Sequence, residues 1–109
     1  MSFILQRIFV MNESAPISFT KAAKVALKAN MQKHDLTEPK LRVGVKALGN
    51  FSTTYLLAFD QEEPDDTIFK IEGFTVLIAK KDMMFVMGLE VDYGQRGKDV
   101  GFIFNEPKR

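Results

Sequence analysis

The chain has 109 residues, of which 46% are apolar and 27% are charged. This length fits one compact domain, and the composition is that of a globular protein rather than a disordered one. The chain has no cysteine and one histidine, which excludes disulfides, thiolate catalysis, metal clusters held by its own thiolates, and paired histidine ligands. A net charge of +1 gives no overall field to attract nucleic acid or an anionic membrane.

Residues 1–16 are predicted to form an N-terminal extension ahead of one domain at residues 17–107. Gln6 and Arg7 interrupt the apolar stretches of the extension, and no small-residue cleavage site follows. We therefore read no export signal and expect a cytoplasmic protein. Apolar runs such as residues 83–87 are far shorter than the ~18 residues of a membrane span. We expect the extension to be ordered and to pack on the domain or on a second copy of the chain.

One helix is predicted near the start of the domain. The short extended segment 17–19 precedes Thr20, which is a good N-cap, and about residues 21–33 are rich in helix formers. His34 follows at the C-terminal end, where a cap or surface role is expected. The apolar stripe of this helix is predicted to comprise Ala22, Val25, Ala26 and Ala29, with Lys21, Lys24 and Lys28 on a solvated stripe.

After the helix, apolar residues recur at every second position, which is typical of strands. The first two strands, 41–47 and 53–59, are predicted to form a hairpin around a turn at Gly49-Asn50. The strand at 74–79 is apolar on both faces and is predicted to be central. The further strands are predicted at 67–71, 89–93 and 100–104. One helix and about six strands indicate a compact, mainly β, mainly antiparallel α+β domain.

Two further segments allow alternative interpretations. The acidic cluster at residues 60–66 is either an oxygen-ligand cation site or, more simply, a solvated turn between strands. Residues 83–87 are rich in methionine and form either an adaptable binding surface or core filling, with Asp82 able to cap a helical turn there. For hydrolytic catalysis, Ser52 and His34 are the conventional candidates, and nothing in the sequence brings them together.

The order of several motifs resembles the HesB/IscA family of A-type iron–sulfur cluster carriers. The resemblance covers roughly residues 17–107, and it implies the family's compact mixed-sheet fold. Its motifs are ISFTKAA at 17–23, LRVGVK at 41–46, the alternating Tyr55, Leu57 and Phe59, the acidic residues at 63–66, Gly73, MGLEVDY at 87–93, and GFIF at 101–104 followed by Pro107.

The chain departs from the family at the cluster ligands. The family's first ligand cysteine lies in a G-C-S-G loop, which here reads Gly49-Asn50-Phe51-Ser52, so that Asn50 stands at the cysteine position. The other two ligands belong to a C-G-C tail, and the residues Lys108-Arg109 stand where that tail would begin. A neutral amide is no substitute for the soft thiolates that hold iron–sulfur clusters.

The sequence therefore predicts a cysteine-free, non-enzymatic relative of the cluster carriers, with no cofactor or metal, which acts through a protein partner. The partner could belong to the cluster-assembly machinery, a homodimer stays open, and neither nucleic acid nor membrane is expected. An oxygen-ligand metal binder and a cluster carrier that uses external thiols such as glutathione are the alternatives. The expected partner or pocket surface is the former ligand loop, with Leu48, Asn50, Phe51, Ser52 and Thr53; Phe51 could instead fill the space of the absent cluster.

Overall fold

The computed structural model describes residues 16–34, 39–49, 53–71 and 73–107. The prediction that the N-terminal extension is ordered concerns residues 1–15, which lie outside these ranges. The described elements, in chain order, are β1 (Ser18–Phe19), α1 (Lys21–Lys33), β2 (Lys40–Leu48), β3 (Thr53–Phe59), β4 (Asp66–Ile71), β5 (Phe74–Ala79), a 3₁₀ turn (Lys80–Asp82), α2 (Met83–Val86), β6 (Glu90–Arg96) and β7 (Asp99–Asn105). The mainly β fold with one substantial helix is confirmed.

The strands form two mixed sheets. The four-stranded sheet has the order β3-β2-β5-β4, and the three-stranded sheet has the order β1-β6-β7. The predicted hairpin of β2 with β3 is present, and β5 is central, as its apolar character on both faces indicated. Among the described pairings, β2 with β5 and β1 with β6 are parallel, which alternation along the sequence does not reveal. The seventh strand is β1, a two-residue strand.

Helix α1 begins and ends where the sequence predicted. The hydroxyl of Thr20 accepts a hydrogen bond from the Ala23 amide at 3.1 Å, and His34 is the C-cap. The predicted apolar stripe was wrong, because the helix buries Ala23 and Leu27 while Val25 is 62% exposed. Met31, four residues beyond Leu27, packs partly against the same core, so the buried face follows an i, i+4 spacing.

The core lies where α1 and the two sheets meet. It includes Ala23 and Leu27 of α1, together with alternating residues of the central strands and of β6. These strand residues are Leu41 and Val43 of β2, Phe74, Val76 and Ile78 of β5, and Val91 of β6. Phe19 and Phe74 meet edge to face with their ring centroids 5.1 Å apart, which joins β1 of the three-stranded sheet to β5 of the four-stranded sheet.

The methionine-rich segment forms a helical turn that divides its side chains. Val86 is fully buried and Met83 is half-buried against the core, whereas Met84, Phe85 and Met87 are exposed. The predicted cap was wrong, since the Asp82 side chain makes no capping hydrogen bond and instead pairs with Lys81 at 3.2 Å. No helix within the described residues is long and apolar enough to cross a membrane.

Candidate functional site

The former ligand loop joins β2 to β3 at the turn end of their hairpin. Leu48 and Thr53 are partners in the last register pair, so the structure brings these two predicted site residues together. Leu48 is 59% exposed, and Thr53 is half-buried. The other predicted residues, Asn50, Phe51 and Ser52, lie outside the described ranges. An exposed apolar side chain thus stands next to a hydroxyl where the loop leaves the sheet.

An irregularity in the hairpin turns this end of the sheet. The pairing shifts between Val45, which faces Tyr55, and Ala47, which faces Thr54. The residue between them, Lys46, is therefore extra in β2, and such a bulge bends the strand and increases its twist. The last residues of the hairpin consequently leave the core, and residues 46–49 are exposed.

A broad open groove of about 1530 Å³ lies beside the loop. Gly49, Thr53 and Tyr55 line it from the hairpin, and residues 99–107 of β7 and the segment after it line the opposite side. Gly88 lies at this groove as well, and a Cβ on Gly88 would come within 2.9 Å of Pro107 Cβ. The close approach of Pro107 to a glycine fixes the C-terminal segment against the groove.

Tyr55 joins the hairpin to β7 and to the residue that follows β7. Its ring packs against Phe104 with centroids 5.3 Å apart, and its hydroxyl donates to Glu106 Oε2 at 2.6 Å. Burial and, secondarily, the neighbouring Glu106 carboxylate raise the pKa of Tyr55 to about 12, since both disfavour the phenolate. The sequence predicted Tyr55 and Phe104 as strand residues but did not indicate that they meet, because they are far apart along the chain.

The lining of the groove combines polar and apolar side chains. The hairpin supplies the Thr53 and Tyr55 hydroxyls. The opposite side supplies the Phe104 ring of β7 and the carboxylate of Glu106, which follows β7. These groups suit polar contact with apolar patches between, as at protein interfaces. The hydrolytic pair gains no support, because His34 is an exposed cap of α1 and Ser52 lies outside the described residues.

The acidic segment 60–66 is paired with basic side chains of β2. Arg42 of β2 donates to both carboxylate oxygens of Asp66 at 2.6 and 2.7 Å, to Asp60 at 2.6 Å, and to the Gln61 carbonyl at 3.0 Å. Lys40 pairs with Glu62 at 3.5 Å. Within the ranges described, which include all of this segment, no three acidic or histidine side chains gather to hold a metal.

The Arg42 contacts set the charge state of the two aspartates. Hydrogen bonds from Arg42 hold the pKa of Asp66 and the pKa of Asp60 below their ordinary value of 3.8, with help from the amides of Glu63 and Gln61 respectively. The guanidinium pKa is raised in turn, chiefly by Asp66. Because the Asp66 side chain is only 1% exposed, this carboxylate is a structural partner of Arg42 rather than a free ligand. The geometry does not support the oxygen-ligand hypothesis.

Comparison with known proteins agrees with the motif order. The chain is 34% identical to a Bacillus subtilis SufA protein over 95 residues, which is 86% of this chain and 79% of the relative. It is 40% identical to an iron-binding protein IscA of Photorhabdus laumondii over 68 residues, or 62% of this chain and 64% of the relative. Among solved structures, a crystal structure of IscA with the [2Fe-2S] cluster superposes with a TM-score of 0.68 at 28% identity, covering 84% of this chain and 85% of that one.

The family model described as iron-sulphur cluster biosynthesis matches residues 15–108, which is nearly the whole chain. This match, the shared fold and the similarity to SufA over 86% of this chain agree with one another. The chain belongs to the iron–sulfur cluster biosynthesis family.

Proposed function

We propose that this chain is an accessory protein of iron–sulfur cluster biosynthesis that contacts a protein partner and holds no cluster by its own ligands. This proposal is based on the observation that none of its 109 residues is a cysteine. Protein-bound iron–sulfur clusters depend on thiolate ligands, and Asn50 offers a neutral amide at the position where the family motif has the first of them. A single histidine cannot supply the missing ligands.

The partner surface that we propose is the former ligand loop with Leu48, Asn50, Phe51, Ser52 and Thr53. Exposed Leu48, the hydroxyl of Thr53 and the adjacent groove support this choice. An apolar side chain bordered by polar groups is an arrangement that protein interfaces use. We further propose a cytoplasmic, non-enzymatic protein whose partner belongs to the cluster-assembly machinery, with self-association as the competing arrangement.

Anaerobic reconstitution with iron and sulfide tests the absence of a cluster. We expect a colourless protein after desalting, both for the natural chain and for Asn50→Cys, since one thiolate does not replace a full ligand set. A stable brown protein with stoichiometric iron and labile sulfide would contradict the proposal. Repeating the experiment with glutathione tests the carrier that uses external thiols, and colour only in that sample would favour this alternative.

Pull-down with paired surface variants tests the loop. The variants Leu48→Asp and Phe51→Asp should no longer capture the proteins that the natural chain captures, because burying an unpaired carboxylate in an apolar contact is costly. Val25→Asp is the matched control, since Val25 is as exposed as Leu48 but lies on α1. Equal capture by all three variants would remove the loop from the interaction.

A further inference from the structure

Three apolar side chains that are close together along the chain, in and just after α2, are exposed to solvent within the described ranges. Met84 is 73% exposed, Met87 is 56% exposed and Phe85 is 42% exposed, while Val86 between them is fully buried. Val86 anchors the turn to the core, so the other three cannot turn inward without displacing it. A contiguous exposed set of this size is a sign of a contact surface. We call Met84, Phe85 and Met87 the α2 patch.

The start of the described fold lies directly beside this patch. β1 runs parallel to β6 with Ser18 opposite Glu90, and the Ser18 amide donates to the Leu89 carbonyl at 3.0 Å. Two residues earlier, the Pro16 carbonyl accepts from the Gly88 amide at 2.6 Å. The described fold therefore begins next to Gly88, the residue that follows Met87, at the edge of the α2 patch.

We propose that the apolar residues 8–11 of the same chain cover the α2 patch. Their sequence is Ile-Phe-Val-Met, and the polar residues Asn12, Glu13 and Ser14 connect them toward Pro16. Residues 12–15 extended span up to about 13 Å, whereas the patch occupies a single helical turn of about 5.4 Å. The connection is long enough to lay residues 8–11 across Met84, Phe85 and Met87.

The tether favours this occupant over a second copy. A segment attached a few residues from its target has an effective concentration in the millimolar range, far above that of a separate molecule in dilute solution. Each apolar side chain that leaves water adds stability in proportion to the area buried. Methionine side chains on the patch adapt readily to an irregular partner such as an extended segment.

Methionine oxidation by hydrogen peroxide, followed by mass spectrometry of the full chain, tests the proposal. The natural chain is compared with the variant Ile8→Ser, Phe9→Ser, Val10→Ser. Met84 and Met87 should be oxidised at least about threefold faster in the variant, because oxidation follows exposure. Met31, half-buried on α1, should react at one rate in both chains. Val25→Ser, a distant exposed substitution on α1, should change neither rate.

Equal oxidation rates at Met84 and Met87 in the natural chain and the triple variant would overturn the proposal. Protection that increases with protein concentration would assign the patch to a second copy instead. A disulfide trap gives an independent measurement, since the natural chain has no cysteine to interfere. Val10→Cys with Met84→Cys should form an intramolecular disulfide in air, whereas only crosslinked dimers, or no disulfide, would contradict the assignment.

Discussion

Thr20 Oγ1 donates a hydrogen bond to Asp92 Oδ1 at 2.7 Å while it accepts one from the Ala23 amide at 3.1 Å. One hydroxyl thus caps α1 and joins it to β6, 72 residues along the chain. The Thr20 amide also donates to the Val91 carbonyl at 2.9 Å. This pair of contacts fixes where the helix begins and against which strand it lies.

Removal of the Thr20 hydroxyl is expected to destabilise the domain. Thr20→Ala should lower the free energy of unfolding by about 1 kcal/mol for the lost cap, and by more if Asp92 loses its donor without replacement. Thr20→Ser keeps the hydroxyl and should retain most of the stability. Urea unfolding followed by circular dichroism measures both, and equal stability of the two variants would show that the hydroxyl has no such role.

The Thr20 contact also explains what the sequence could and could not predict about α1. The cap, the helix formers and His34 act locally, and they set the bounds that the sequence predicted. Which face of the helix is buried depends on how α1 packs against β6. That packing involves Asp92, which is distant along the chain. In a helix with four alanines between residues 21 and 33, several stripes look equally apolar, so Ala23 and Leu27 could not be selected from periodicity alone.

A similar limit applies to the candidate site. Alternation predicted β3 and β7 as strands, and the motifs placed Asn50 in the loop. The contact between Tyr55 and Glu106 could not be predicted, because β3 and β7, which Glu106 follows, belong to different sheets and no local signal pairs them. Likewise, the charge run at 60–66 was visible in the sequence, but its partner Arg42 lies in an earlier strand.

The Arg42 cluster predicts a large effect of neutralising one side chain. Arg42→Met leaves Asp66, which is almost fully buried, without a counter-charge, and should lower the free energy of unfolding by about 3 kcal/mol. Arg42→Lys keeps the charge but loses the two parallel hydrogen bonds and should fall between. Thermal unfolding checks the order. A change below about 0.5 kcal/mol for Arg42→Met, the size usual for surface substitutions, would mean that water satisfies Asp66.

The same cluster predicts a loss of stability in acid. The pKa of Asp66 and the pKa of Asp60 are below 3.8 in the folded state, so the unfolded chain takes up protons first as the pH falls. Their stabilisation is complete above a pH of about 4 and declines as the pH falls through the folded-state values. Urea titrations between pH 7 and 2 in the natural chain and in Asp60→Asn with Asp66→Asn measure it. A parallel decline in both would contradict the assignment.

Replacing Gly44 is predicted to displace the Asp82 side chain. A Cβ at Gly44 would lie 2.6 Å from Asp82 Oδ2, too close for two non-bonded atoms, so the carboxylate must move and Gly44→Ala should lower the free energy of unfolding by about 1 kcal/mol. Adding Asp82→Ala removes the obstructing carboxylate and should recover most of the loss. Gly101→Ala is the control, since nothing lies within 4 Å of the added Cβ. Failure of the double variant to recover would assign the effect to the backbone.

Tyr55 is predicted to ionise late and to weaken the fold when it does. Its pKa of about 12 in the folded state exceeds the ordinary value of 10.0, so the unfolded chain loses this proton first and stability declines as the pH rises from about 10 to 12. Absorbance titration at alkaline pH, with Tyr55→Phe subtracted, isolates this group from Tyr93. Glu106→Gln removes the carboxylate that disfavours the phenolate and should lower the pKa of Tyr55, while burial keeps it above 10. An unchanged pKa in Glu106→Gln would show that the C-terminal segment does not hold the tyrosine in solution.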